Sequence, residues 1–120
     1  MAQQVSTKTG PQIDDTVPAG EKSFYDLPTH PRGYSALVGS LRSTESVSVY
    51  LLQGKTPAGR WLSGRSTAVD VTGAAENEEN EGAGEAFGWN ITSPNALLCV
   101  DNPGESDADI LLEMTLVGVI

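Results

Sequence analysis

Residues Ser46–Gln53 read SVSVYLLQ. Val47, Val49 and Leu51 recur at every second position, and a β-strand sends every second side chain to the same face. The same period continues outward in both directions. Ser35–Arg42 (SALVGSLR) places Leu37, Gly39 and Leu41 on one face, and Thr67–Thr72 (TAVDVT) does so with Val69 and Val71. Ala86–Thr92 (AFGWNIT) sets Phe87, Trp89 and Ile91 against Ala86, Gly88 and Asn90. Asn95–Asn102 (NALLCVDN) and Asp109–Ile120 (DILLEMTLVGVI) complete the series, with a short run at Arg60–Leu62. Gly- and Pro-containing stretches divide the runs: Gly54–Gly59, Ser93-Pro94 and Asn102-Pro103-Gly104. No segment carries a capped helical pattern. The expected fold is all-β, an antiparallel β-sandwich or jelly roll of about seven or eight strands. Both architectures share these cues, so the strand order stays open.

Residues 1–33 read differently. Four of the seven prolines lie here, in Gly10-Pro11, Val17-Pro18-Ala19-Gly20, Leu27-Pro28 and His30-Pro31, and apolar residues are sparse. The expectation is an extended N-terminal arm over 1–33, with at most one short strand around Lys22–Leu27, followed by a β-sandwich domain over 34–120. A disordered tail has the same composition.

The chain has 120 residues and a net charge of −9. All seven basic residues lie in the first 65 positions, beside five acids, whereas residues 66–120 hold eleven acids and no base. A nucleic-acid binder needs a basic stripe to neutralise phosphates, so that class is excluded as a partner. No run of about 18 apolar residues exists, so no membrane-spanning helix is expected. Met1–Ser6 has neither a charged nor an apolar leader region, so no secretory signal is expected. The length suits one core.

Sites of chemistry are few. His30 stands between prolines in a loop, poorly placed as a general base beside a nucleophile. Cys99, flanked by Leu97, Leu98 and Val100, reads as a buried inert thiol. One cysteine gives neither a disulfide nor a metal spacing. The acidic run Glu76, Glu78, Glu79, Glu81 offers carboxylates for a cation. Its flanks, Gly73-Ala74-Ala75 and Gly82-Ala83-Gly84, are too flexible to hold ligands in place, so a solvated loop is the preferred reading and weak calcium binding the alternative. A second acidic group, Asp101, Glu105, Asp107 and Asp109, brackets Asn102-Pro103-Gly104. Asn90-Ile91-Thr92 fits the glycosylation acceptor pattern, a coincidence without a secretory signal. No catalytic constellation and no cofactor or metal motif emerges, so the chain is expected not to be an enzyme.

The last run is apolar on both faces near its end: Leu116, Val117, Val119 and Ile120 follow one another with only Gly118 between. A strand apolar on both faces needs cover on both. One face suits the core, and the other suits a neighbouring subunit. Trp61, between Arg60 and Leu62 beside a glycine turn, is the freest aromatic and a candidate interface anchor. Trp89 shares a face with Phe87 and Ile91 and is expected in the core.

This layout resembles small virion proteins of tailed bacteriophages, particularly capsid decoration (cement) proteins with a β-sandwich or jelly-roll domain. The resemblance lies in the Gln/Thr/Pro-rich arm, in strands such as Ser46-Val47-Ser48-Val49-Tyr50, and in the apolar terminal strand. It carries no diagnostic motif and transfers no functional residue. It implies a homo-oligomer, a trimer in many such proteins. The partner would be the major capsid protein or another virion protein, and the location the virion, assembled in the host cytoplasm. The implied function is stabilisation of a capsid shell without catalysis. A tail or head–tail connector component shares the architecture. A carbohydrate-binding β-sandwich using Trp61 is the alternative of another class.

Overall fold

The computed structural model describes residues 5–29, 31, 33–55, 58, 60, 68–73 and 84–119. Nine strands run through them: β1 (Val5–Thr9), β2 (Ile13–Val17), β3 (Lys22–Tyr25), β4 (Ala36–Ser43), β5 (Val47–Gln53), β6 (Val69–Val71), β7 (Glu85–Asn90), β8 (Ala96–Asp101) and β9 (Ala108–Val119). No helix occurs among the described residues.

The strands form two antiparallel sheets. The first has the order β1-β9-β4-β7, with β2 also on β9; the second has the order β3-β8-β5-β6. The pairs β2·β9, β3·β8, β4·β7 and β5·β6 nest one inside another along the chain. That nesting, folded over into two sheets, is jelly-roll order. The strand order, open in the sequence, is therefore settled by the pairing.

Side-chain alternation follows the sequence pattern. Leu37 and Leu41 of β4 and Val49 and Leu51 of β5 are fully buried. They meet Leu98 and Val100 of β8 and Ile110, Leu112, Met114 and Leu116 of β9 in one cluster. Each such side chain contributes about 1.5–3 kcal/mol on leaving water, so β9 alone supplies a large share of the core. Gly39 of β4 makes room for an aromatic: a Cβ there would overlap the Glu113 carbonyl oxygen and come within 2.7 Å of the Phe87 ring. Phe87 stacks on Trp89 at 5.2 Å between centroids, and Trp89 packs against the core as expected.

The first 33 residues depart from the expectation of an arm with at most one strand. β3 is that strand; β1 and β2 are two more, and all three belong to the sheets. β1 and β2 share one edge of β9. Thr9 lies opposite Thr115 and Ile13 opposite Leu112, so three residues (Gly10, Pro11, Gln12) face two (Glu113, Met114). This is a β-bulge, anchored by the Gly10 N–H donating to Met114 O at 3.1 Å. Between β2 and β3 the chain crosses sheets in a type II turn, with Gly20 at φ 71° and the Glu21 N–H donating to Pro18 O at 3.1 Å.

Asn102 closes this end of the sandwich. It is fully buried, and its Nδ2 donates to Val17 O (3.0 Å), Pro18 O (3.4 Å) and Ser106 O (2.8 Å). Its Oδ1 accepts the Gly104 N–H (3.1 Å), and its own N–H donates to Glu21 O (2.9 Å). One side chain thus ties the β8–β9 turn to the β2–β3 turn. At the opposite end, Gln53 donates to Asn90 O (2.8 Å) and accepts from the Thr92 N–H (2.7 Å), tying β5 to the end of β7.

Candidate interface on the first sheet

β9 is central, not peripheral. Its C-terminal half is flanked by β1 on one side and β4 on the other, and its N-terminal half by β2 and β4. Its backbone is engaged on both edges, so it cannot add to the sheet of a neighbour. Leu116 points inward and is fully buried, which makes it a core residue and corrects its assignment to an interface. Val117 points the other way and is half-buried on the outer face. The backbone of Val119 pairs with Val5, and its side chain lies outside the described residues. Trp61, Ile120 and the acidic run Glu76, Glu78, Glu79, Glu81 also lie outside them, as does His30.

The outer face of the first sheet can be read from the register. Val117 stands between Thr7 on β1 and Ala36 on β4. Thr115 stands between Thr9 and Val38, and Val38 faces Gly88 on β7. These side chains are small and uncharged, and Val38 is 40% exposed. Toward the other end of β9 the face becomes charged. Glu113 lies beside Gln12, whose Nε2 donates to it at 3.2 Å, and Asp109 accepts the Thr16 hydroxyl at 2.7 Å. An uncharged strip beside a charged one, on one sheet face, has the composition of an interface core with a polar rim. Val38 and Ala36 were not singled out in the sequence. Alternation with Leu37 already placed them outward, but nothing in the sequence placed them beside Val117.

The outer face of the second sheet is already partly covered. Tyr50 and Cys99 point outward by register, yet are 4% and 0% exposed. Phe24, opposite Cys99 on edge strand β3, is 54% exposed. Cys99 is buried and forms no disulfide, as expected.

The acids around Asn102 have separate tasks. Asp107 accepts the Ala19 N–H at 3.0 Å, Asp109 accepts from Thr16, and Asp101 stands opposite Lys22. Among the described residues no group of three His, Cys, Asp or Glu side chains is placed to hold a metal ion. Tyr25 is buried between the sheets, and its hydroxyl donates to Asp15 Oδ2 at 2.8 Å. Burial, reinforced by the Asp15 carboxylate, holds the phenol well above its ordinary pKa. A depression of about 480 Å³ at the ends of β3 and β8 is lined by Asp26, Leu27, Lys55, Asn95 and Leu97, among others. Among the described residues it brings together one carboxylate and one ammonium and no nucleophile–base pair. No helix of the described residues is long and apolar enough to cross a membrane.

No family model matches the chain, and no curated protein matches it. A solved structure described as "Bacillus endospore appendages form a novel family of disulfide-linked pili" has a similar fold: the TM-score is 0.59 and the sequence identity 12%, over 100% of this chain and 92% of that one. The likeness, spread over nearly the whole of both chains, shows a shared two-sheet β-architecture.

Proposed function

We propose that this chain is a structural subunit that acts by non-covalent association with copies of itself, without catalysis. The observation that carries this reading is the uncharged strip around Val117, Ala36 and Val38 on the outer face of the first sheet. It supplies the second apolar face that the sequence of β9 demanded. The fold supports many functions, so the reading rests on this surface and not on the architecture.

The specific form we favour is a capsid decoration protein, seated as an oligomer on the major capsid protein of a virion. Jelly rolls are common in capsid proteins, and the uncharged strip supplies a face that a lattice contact could use. A subunit of a surface appendage is the second reading, favoured by the fold likeness to a pilus protein. That pilus is described as disulfide-linked. Here the one cysteine is fully buried, so association of this chain would rest on non-covalent contacts.

The test is Val117→Asp. Val117 lies outside the core, so the variant keeps its fold by circular dichroism while a charge enters the strip. Light scattering is expected to find wild-type oligomers and a smaller assembly in the variant. Electron microscopy of the wild type then separates the two forms: discrete oligomers that co-purify with virions support decoration, and filaments support an appendage. A wild type that stays monomeric and attaches to no particle refutes both.

A further inference from the structure

The sheets have four outer edges among the described strands, and they are not equally guarded. The β1–β2 edge carries a bulge and Pro11, which has no N–H to offer. β6 is three residues long. β3 is four residues long and begins with Lys22. β7 is six residues, EAFGWN, with no proline, no lysine and no bulge.

The ladder shows which groups of β7 have no partner among the described residues. The Ile91 N–H donates to Ser35 O at 2.8 Å, and the register pairs Leu37 with Trp89 and Gly39 with Phe87. In an antiparallel ladder, residues that bond to the neighbour alternate with residues that bond away from it. Phe87 and Trp89 therefore bond to β4, and Ala86 and Gly88 turn their N–H and C=O groups outward. Both residues are exposed. Their side chains are the smallest available, so neither of them obstructs an approaching strand.

We infer that β7 pairs antiparallel with β7 of a second copy, across a two-fold axis at Phe87. This deepens the self-association reading and rests on it. In that register Ala86 of each copy lies opposite Gly88 of the other, and the two pairs exchange four N–H···O bonds. The edge is self-complementary, as a two-fold interface requires. Glu85 stands opposite Trp89 of the second copy, not opposite its own counterpart, so the register avoids a direct like-charge pair. The first sheet then runs unbroken through both copies.

Gly88→Pro tests the pairing. It removes an outward N–H and no bond to β4, and an edge strand tolerates proline at such a position. Gly88→Ala is the control: its Cβ would meet Val38 Cγ1 at 3.5 Å, an ordinary contact, and the N–H stays. Equilibrium sedimentation of the full chain is expected to show pairing in the wild type and in Gly88→Ala. Gly88→Pro loses two of the four bonds, which weakens pairing on the order of 30-fold or more. Residue-resolved hydrogen exchange, which also checks the fold, is expected to show Ala86 and Gly88 amides protected only at high concentration, with Trp89 protected throughout. If wild type associates while Gly88 stays unprotected, or if Gly88→Pro associates as tightly, the inference fails and the self-association reading stands. Protection that rises together at Gly88 and at Phe24 means head-to-tail pairing with β3, which overturns the two-fold form. A wild type that never associates refutes the reading itself.

Discussion

Replacing Asn102 by alanine tests whether one side chain holds the end of the sandwich shut. The substitution removes a fully buried amide that serves three carbonyls and one N–H. The Val17 carbonyl is the most enclosed of these partners, and an orphaned buried acceptor costs about 1–3 kcal/mol. Ser106 and Gly104 lie near solvent, where water takes over part of the loss, and add about 0.5–1 kcal/mol each. The Pro18 contact, at 3.4 Å, is long and adds little. The expected destabilisation is about 2–5 kcal/mol, or a fall in Tm of roughly 8–20 °C for a chain of this size. Urea unfolding followed by tryptophan fluorescence measures it. Asn102→Asp sharpens the test, because it keeps the acceptor for Gly104 and turns a carboxylate toward three carbonyls. Its pKa rises on folding, so its penalty is smallest below about pH 4, where the unfolded group is also protonated, and grows as pH rises. A loss below about 1 kcal/mol in Asn102→Ala, or a pH-independent penalty in Asn102→Asp, refutes the reasoning.

Three further outcomes follow from the geometry. Gly39→Ala drives a methyl group against the Glu113 carbonyl and the Phe87 ring and is expected to cost about 1–3 kcal/mol by the same unfolding assay. Tyr25 has a phenol pKa raised on folding, so its contribution is complete below about pH 10 and lost as pH rises beyond it. Stability curves of wild type and Tyr25→Phe should therefore converge in strong alkali, and ultraviolet titration should show one phenol ionising late. Leu116→Asp is expected to abolish folding, since it buries an unpaired charge in the core, whereas Val117→Asp changes assembly alone; parallel circular dichroism of the two variants checks the contrast.

The strands legible in the sequence are those that alternate in one phase between core and surface. β4, β7 and β9 do so over six to twelve residues, and β5 and β8 keep the same inward phase although Tyr50 and Cys99 on their outer side are also buried. β1 and β2 were not legible, because the bulge at Gly10–Gln12 reverses the phase between them: Thr9 points outward with Thr115, and Ile13 inward with Leu112. Neither half is long enough to show a period alone. Asn102 escaped for another reason. Asn-Pro-Gly spells an exposed turn, and its burial arises only where turns distant in the chain converge. Leu116 and Val117 looked equivalent as a pair, and only the register separates core from surface. The open edge at β7 depends wholly on strand order, which side-chain chemistry does not encode locally.

The central seat of β9 has a consequence for how the molecule is made. Thr9 and Thr115 touch hydroxyls across 106 positions of chain. During synthesis the early strands emerge long before the strand that binds them. Until β9 leaves the ribosome, β1, β2 and β4 lack their shared neighbour, and the first sheet cannot be completed. Such high contact order makes for slow folding, on the scale of milliseconds to seconds. For that interval unpaired strand edges and apolar side chains stand open to whatever else is nearby, including nascent copies of the same chain.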